Sequence, residues 1–186
     1  ISGKAWSLKY LQDSFSDNML KKTTLITDQT TNILKVFCNK KNVKIVKTNK
    51  LSVSILKSLD IKNSIVLSAS TPWIYKKNII KILGKNFFNV HQSPLPSMRG
   101  SVASYIILYD IRAFQTCLHK VAPGIDTGKI VFRKSFIIPS NLKTPKDIND
   151  FLQFKNREMV KHFLTNYNRS KLIDEKQNNY FSSYNK

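Results

Sequence analysis

Apolar residues in this chain follow two alternating rhythms. Short runs of strand formers at 24–27, 43–46, 64–68 and 87–91 are bounded by polar turns, the length and setting of buried strands. Between them, apolar positions return every three or four residues over 4–15, 30–39, 52–59 and 76–83. In the first of these stretches Leu8, Leu11 and Phe15 share one helical face. Strands separated by helices predict a Rossmann-like α/β fold, a mainly parallel sheet with helices on both faces, because parallel neighbours need a crossover between them. Further on, the pattern predicts a helix over 101–109, strands over 115–121 and 128–138, and an amphipathic helix over 147–167. Ile148, Phe151, Leu152, Met159, Phe163 and Leu164 form the core face of that last helix, and His162 falls among its solvated residues. Ile1-Ser2 has the character of a strand's tail, so a first strand is expected upstream of Ile1.

Length and composition add bounds. A chain of 186 residues supports one domain with a real core. We expect that domain over 1–168, with a tail over 169–186 whose Tyr180, Phe181 and Tyr184 pack on it or on a partner subunit. No apolar run approaches the roughly 18 residues of a membrane span. No signal-peptide pattern is visible either, so a cytoplasmic location without membrane contact is expected. Cys38 and Cys117 sit in apolar runs without metal-ligand spacing, which predicts buried free thiols. With 31 Lys+Arg against 11 Asp+Glu the formal charge is +20, enough to attract a nucleotide diphosphate or tRNA. The lysines are spread along the whole chain rather than gathered in a stripe with interleaved aromatics. A nucleic-acid partner is therefore not expected, although some lysines are available for phosphates.

Candidate chemistry begins at the end of the fourth strand. Asn89 and His91 alternate with Val90 and so share one face of that strand. A carboxamide and an imidazole placed together suit stabilising an oxyanion and moving a proton; alone, the pair equally fits a polar strand end entering a loop. Pro94, Pro96 and Gly100 then stiffen that loop and Arg99 sets a cation beside it. A second stretch, His119 to Ile130, carries His119, Asp126 and the turn glycines Gly124 and Gly128 between two strands.

Together the two stretches resemble the folate-dependent formyltransferases. That family's pattern runs Asn-x-His, then Ser-x-Leu-Pro-x-x-Arg-Gly, then His-x-Val-x-x-Gly-x-Asp-x-Gly. The matching residues are Asn89 and His91; Ser93, Leu95, Pro96, Arg99 and Gly100; and His119, Val121, Gly124, Asp126 and Gly128. The detailed match covers roughly residues 64–138. Pro94, where leucine is common, and Ala113 to Cys117, in place of Thr-Gly-Val-Thr, depart from the pattern.

The resemblance implies transfer of a formyl group from 10-formyltetrahydrofolate, leaving tetrahydrofolate, with no metal. Asn89 and His91 would hold the developing oxyanion, Asp126 would hold the imidazole, and His119 would support them. Ser70, Thr71, Pro72 and Trp73, with Pro123, Gly124 and Ile125, would surround the folate's pterin ring. Lys4, Trp6, Ser93, Pro94 and Arg99 would face the acceptor. Among acceptors, a nucleotide-linked amino sugar fits best, specifically dTDP-4-amino-4,6-dideoxyglucose for a surface polysaccharide such as an O-antigen of lipopolysaccharide. Glycinamide ribonucleotide formyltransferases carry a Gly-Asn-Gly-Ser-Asn-like loop where this chain has Ser2-Gly3-Lys4-Ala5-Trp6-Ser7. Methionyl-tRNA formyltransferases carry a further β domain after the catalytic one. Formyltetrahydrofolate hydrolysis and a non-catalytic basic binding module are the alternatives of other classes. Sugar formyltransferases are often dimers, so a homodimer is a possible assembly.

Overall fold

The computed structural model describes residues 6–100, 103–167 and 172–178. The expected strand tail at Ile1-Ser2, the start of the predicted helix at Ser101 and the tail aromatics Tyr180, Phe181 and Tyr184 lie outside the described residues. The chain divides into two compact units, Ile1–Phe88 and Asn89–Lys186.

In the first unit, elements alternate as the apolar rhythm predicts: α1 Trp6–Ser14, α2 Asp17–Leu20, β1 Thr24–Thr27, α3 Asn32–Lys40, β2 Lys44–Lys47, α4 Val53–Lys57, β3 Val66–Ala69 and α5 Lys77–Leu83. Each of α2, α3 and α4 starts where a hydroxyl occupies the N-cap. Ser16, Thr31 and Ser52 accept from the backbone N–H three residues on, satisfying a group that the first helical turn leaves unpaired. Strands β1 and β2 pair in parallel, Leu25 opposite Ile45 and Ile26 opposite Val46, in a two-stranded sheet of their own. Leu11, Leu20, Leu25, Leu34, Cys38 and Val43 form the core beneath them. The short helix α2 has no counterpart in the apolar pattern, because four residues with one buried side chain are too few to show a period.

Strand β4, Phe87–His91, carries the chain from the first unit into the second. There it is followed by α6 Ala103–Leu108, β5 Ala113–Lys120, β6 Ile130–Ile137 and α7 Pro145–Asn166. The end of β4, β5 and β6 neighbour one another in that order. Strands β5 and β6 are antiparallel, from Ala113 opposite Ile137 to His119 opposite Ile130, because residues 121–129 between them leave no room for a crossover helix. A bulge between Leu118 and His119 breaks the ladder where β5 reaches the polar cluster described below.

Helix α7 opens on the Thr144 N-cap with Pro145 in its first turn. It buries Ile148 and Leu152 with Ile106, Phe114 and Ile138. Its buried face also carries Gln153, Asn156 and Arg157, which the apolar pattern did not assign to the core. Gln153 Nε2 donates to Gln92 Oε1 at 2.9 Å, and Asn156 meets the Thr116 hydroxyl, which donates to the His91 carbonyl at 2.9 Å. Polar partners on α7 and β5 thus hold the end of β4. His162 is exposed, as expected, with its ring 5.3 Å from that of Phe132. Among the described residues no helix is long and apolar enough to cross a membrane. Cys38 and Cys117 are buried free thiols, and burial pushes Cys117 up to about 11.

Candidate active site

Alternation along β4 buries Phe88 and Val90 on one face and leaves Asn89 and His91 on the other, as the period of two requires. The chain then bends back, with the Met98 N–H donating to the Pro94 carbonyl at 2.8 Å. That bend places the Met98 carbonyl 2.8 Å from His91 Nε2, with the Ser93 hydroxyl 2.5 Å from the same nitrogen. A carbonyl only accepts, so we assign the imidazole proton to Nε2. Nδ1 then turns its lone pair toward Asp126, whose Oδ2 lies 3.5 Å away.

The Asp126 turn is built by glycine. Gly124 has φ +106°, a conformation that side chains rarely adopt, and any Cβ at Gly128 would meet the Lys120 carbonyl oxygen at 1.7 Å. Asp126 itself has φ 52°, the left-handed region that Asp and Asn enter most readily among non-glycine residues. Its carboxylate accepts from Asn89 Nδ2 at 3.1 Å and from the Gly100 N–H at 3.3 Å. Asn89 Nδ2 also lies 3.1 Å from His119 Nε2. His119 Nδ1 donates to the Lys120 carbonyl at 2.8 Å, which leaves Nε2 as the acceptor for Asn89.

These contacts set the electrostatics. Burial pushes the His91 imidazole below its ordinary value of 6.5, against the Asp126 charge and the Met98 carbonyl, which raise it. His91 is therefore neutral near pH 7. Burial pushes Asp126 up, but its contacts with His119, His91 and the Gly100 N–H outweigh it and hold the carboxyl low, at about 2. A neutral buried imidazole thus faces a permanent carboxylate, and together they have room for one more proton.

Ser93 is fully buried against His91 and Met98, so it braces the imidazole instead of presenting a surface to an acceptor. Arg99 is also buried, its Nη2 donating to Gln177 Oε1 at 2.9 Å. Pro94 lines an open cleft of about 590 Å³ with Leu95, Ser97, Phe114, Arg133 and Phe136, which does not include Asn89, His91 or Asp126. Pro123, Gly124 and Ile125 are exposed beside Asp126. In the first unit, Ser70, Thr71, Pro72 and Trp73 follow β3. The Thr71 hydroxyl lies 3.0 Å from Tyr75 Oη, and Trp73 Nε1 donates to the Asn49 carbonyl at 3.1 Å. Trp6 is half-buried under the Lys9 ammonium, and Lys4 lies outside the described residues. Sequence reasoning did not identify Gln177, whose polar surroundings carry no motif. Among the described residues no group of three or more His, Cys, Asp or Glu could hold a metal ion.

No family model matches the chain. It is 28% identical over 134 residues to the methionyl-tRNA formyltransferase of Alkaliphilus metalliredigens, covering 71% of this chain and 41% of that protein. To the methionyl-tRNA formyltransferase of Borreliella afzelii it is 30% identical over 132 residues, covering 69% and 41%. The chain thus spans about two-fifths of the length of the curated relatives it matches. Among solved structures, an N-formyltransferase from Helicobacter canadensis, in complex with folinic acid and dTDP-3-aminofucose, superposes with a TM-score of 0.73. The identity is 23%, over 98% of this chain and 68% of that one. The chain resembles the folate-dependent formyltransferases in sequence and has their fold.

Proposed function

We propose that this chain is a folate-dependent N-formyltransferase and that Asn89, His91 and Asp126 perform the transfer. The observation that carries the reading is their convergence: a carboxamide, a neutral imidazole and an ionised carboxylate from two elements meet within 3.5 Å. Exposed Pro123, Gly124 and Ile125 offer backbone groups and apolar surface beside Asp126, which fits a flat pterin ring. A bound formyl-folate supplies an activated formyl group; the chain supplies orientation, hydrogen bonds and a proton acceptor.

An acceptor amine that attacks the formyl carbon leaves negative charge on its oxygen and a surplus proton on its nitrogen. Asn89 has two N–H groups. One stays on Asp126, while the other turns from His119 Nε2 to the developing oxygen, a stronger acceptor. The surplus proton passes to His91 Nδ1, whose lone pair is free because Met98 and Ser93 hold the other nitrogen. Asp126 then stabilises the imidazolium that forms. Ser93 and Arg99 act behind this line, on His91 and on the Asp126 turn.

For the acceptor we propose the amino group of a nucleotide-linked amino sugar, with dTDP-4-amino-4,6-dideoxyglucose as the specific candidate. The likeness to a structure holding dTDP-3-aminofucose supports the class, and the charge of +20 suits a diphosphate. The second reading, methionyl-tRNA, is favoured by the identity to the two curated relatives. A panel of dTDP- and UDP-linked amino sugars, glycinamide ribonucleotide and methionyl-tRNA, each with 10-formyltetrahydrofolate, separates them. The first reading expects a formylated sugar at a rate at least about a hundredfold above any other acceptor. Preference for methionyl-tRNA, with steep salt dependence, would replace it, and formate release without an acceptor would mark a hydrolase.

A further inference from the structure

We infer that Gln177 is a positioning residue that holds the Asp126 turn in register with His91, an inference that rests on the transferase reading of that site. The turn needs such a holder. Residues 121–129 contain two glycines, expose Pro123, Gly124 and Ile125, and carry the carboxylate on a left-handed residue. Within the turn, Thr127 Oγ1 donates to the Pro123 carbonyl at 2.9 Å, which closes its tip without tying its backbone to the loop that follows β4.

Gln177 supplies that tie. Its Nε2 donates to the Asp126 carbonyl at 2.8 Å and to the Gly128 carbonyl at 2.7 Å, so both amide hydrogens grip the backbone on either side of Thr127. Its Oε1 accepts from Arg99 Nε at 3.3 Å and Nη2 at 2.9 Å. Arg99 adjoins Gly100, whose N–H donates to Asp126 Oδ2. One planar carboxamide thereby ties the turn bearing Asp126 to the loop that folds back over His91. The carboxamide does this with donors and acceptor together: glutamate keeps the acceptor and loses both donors, and methionine keeps only the length.

The segment delivering Gln177 is itself placed by backbone pairing. Glu175 and Ile130 exchange two N–H···O bonds of 2.9 Å, and the Ile173 N–H donates to the Val131 carbonyl at 3.1 Å. Asp174 joins Lys120 and Lys129 at 2.8 Å each, and Glu175 joins Arg133 at 2.6 Å. These half-exposed ion pairs add little individually, but they flank the ladder on both sides. Residues beyond α7 thus complete a site whose chemistry lies in β4 and the β5–β6 turn.

The test uses the full chain with Gln177→Met, Gln177→Glu, Asp126→Asn and the double variant Gln177→Met/Asp126→Asn. Backbone hydrogen exchange over residues 124–130 is read beside kcat and KM. Both Gln177 variants are expected to stay folded and to speed exchange in the turn at least about tenfold. Both should lower kcat by ~10- to 100-fold, a larger factor than any change in KM. In the Asp126→Asn background Gln177→Met should cost less than about twofold more, since the two act as one unit. Wild-type kcat in Gln177→Glu would overturn the inference, leaving Gln177 as a partner of Arg99 only. Additive losses in the double variant would also overturn it. If the wild-type chain transfers no formyl group, the transferase reading falls and exchange alone decides. Faster exchange in Gln177→Met then supports the clasp, and unchanged protection refutes it.

Discussion

At the scale of single residues, the site turns on what surrounds one imidazole. His91 is 6% exposed, with one nitrogen held by Met98 and Ser93 and the other facing Asp126. Burial disfavours its charged form, so the imidazole stays neutral to lower pH than an ordinary histidine. The acid limb of kcat is therefore expected below pH 6.5, coinciding with the His91 titration followed by NMR. His91→Ala should lower kcat by ~10²- to 10⁴-fold while folate affinity changes far less. An acid limb at or above 6.5, or near-normal turnover in His91→Ala, would remove His91 as the proton acceptor. Much of this was legible in the sequence. Alternation put Asn89 and His91 on one face, and the glycines flagged the Asp126 turn. Ser93's role as a brace was not legible, because it depends on how the loop bends back over His91.

Among elements, the β5–β6 hairpin and its turn do most to position the chemistry. Gly128 is required by close approach to the Lys120 carbonyl, so Gly128→Ala must push the strands apart or distort the turn. A loss of about 1–3 kcal/mol in unfolding free energy is expected, with a larger proportional loss of turnover because Asp126 moves. A denaturation midpoint equal to wild type would contradict this reading of the turn. Apolar periodicity found β1 and β4 with the bounds observed and the other strands to within a few residues. It missed α2, the buried polar face of α7 and the pairing of Glu175 with Ile130. Backbone hydrogen bonding and polar contacts between Gln153, Gln92, Asn156 and Thr116 leave no periodic signature. The tail was expected to pack through its aromatics, and nothing in Asp174-Glu175-Lys176-Gln177 marks the backbone pairing with β6.

For the whole molecule, the charge balance and the site point the same way. Several of the few acids are already taken by cations, as in Asp17 with Lys41 and Asp174 with Lys120 and Lys129, and 31 basic residues against 11 acidic ones leave a large positive excess. Such a field raises the local concentration of anionic ligands, and the folate and nucleotide-linked acceptor proposed above are both anionic. The most direct measurement is formyl transfer from 10-formyltetrahydrofolate to the best acceptor by the wild-type chain and by Asp126→Asn. Asparagine tolerates the left-handed backbone of Asp126, so the change removes the charge and spares the turn. Transfer by the wild type, reduced at least about a hundredfold in a folded, folate-binding Asp126→Asn, is the expected result. Equal rates in the two, or no transfer to any acceptor by a wild-type chain that binds folate, would contradict the account.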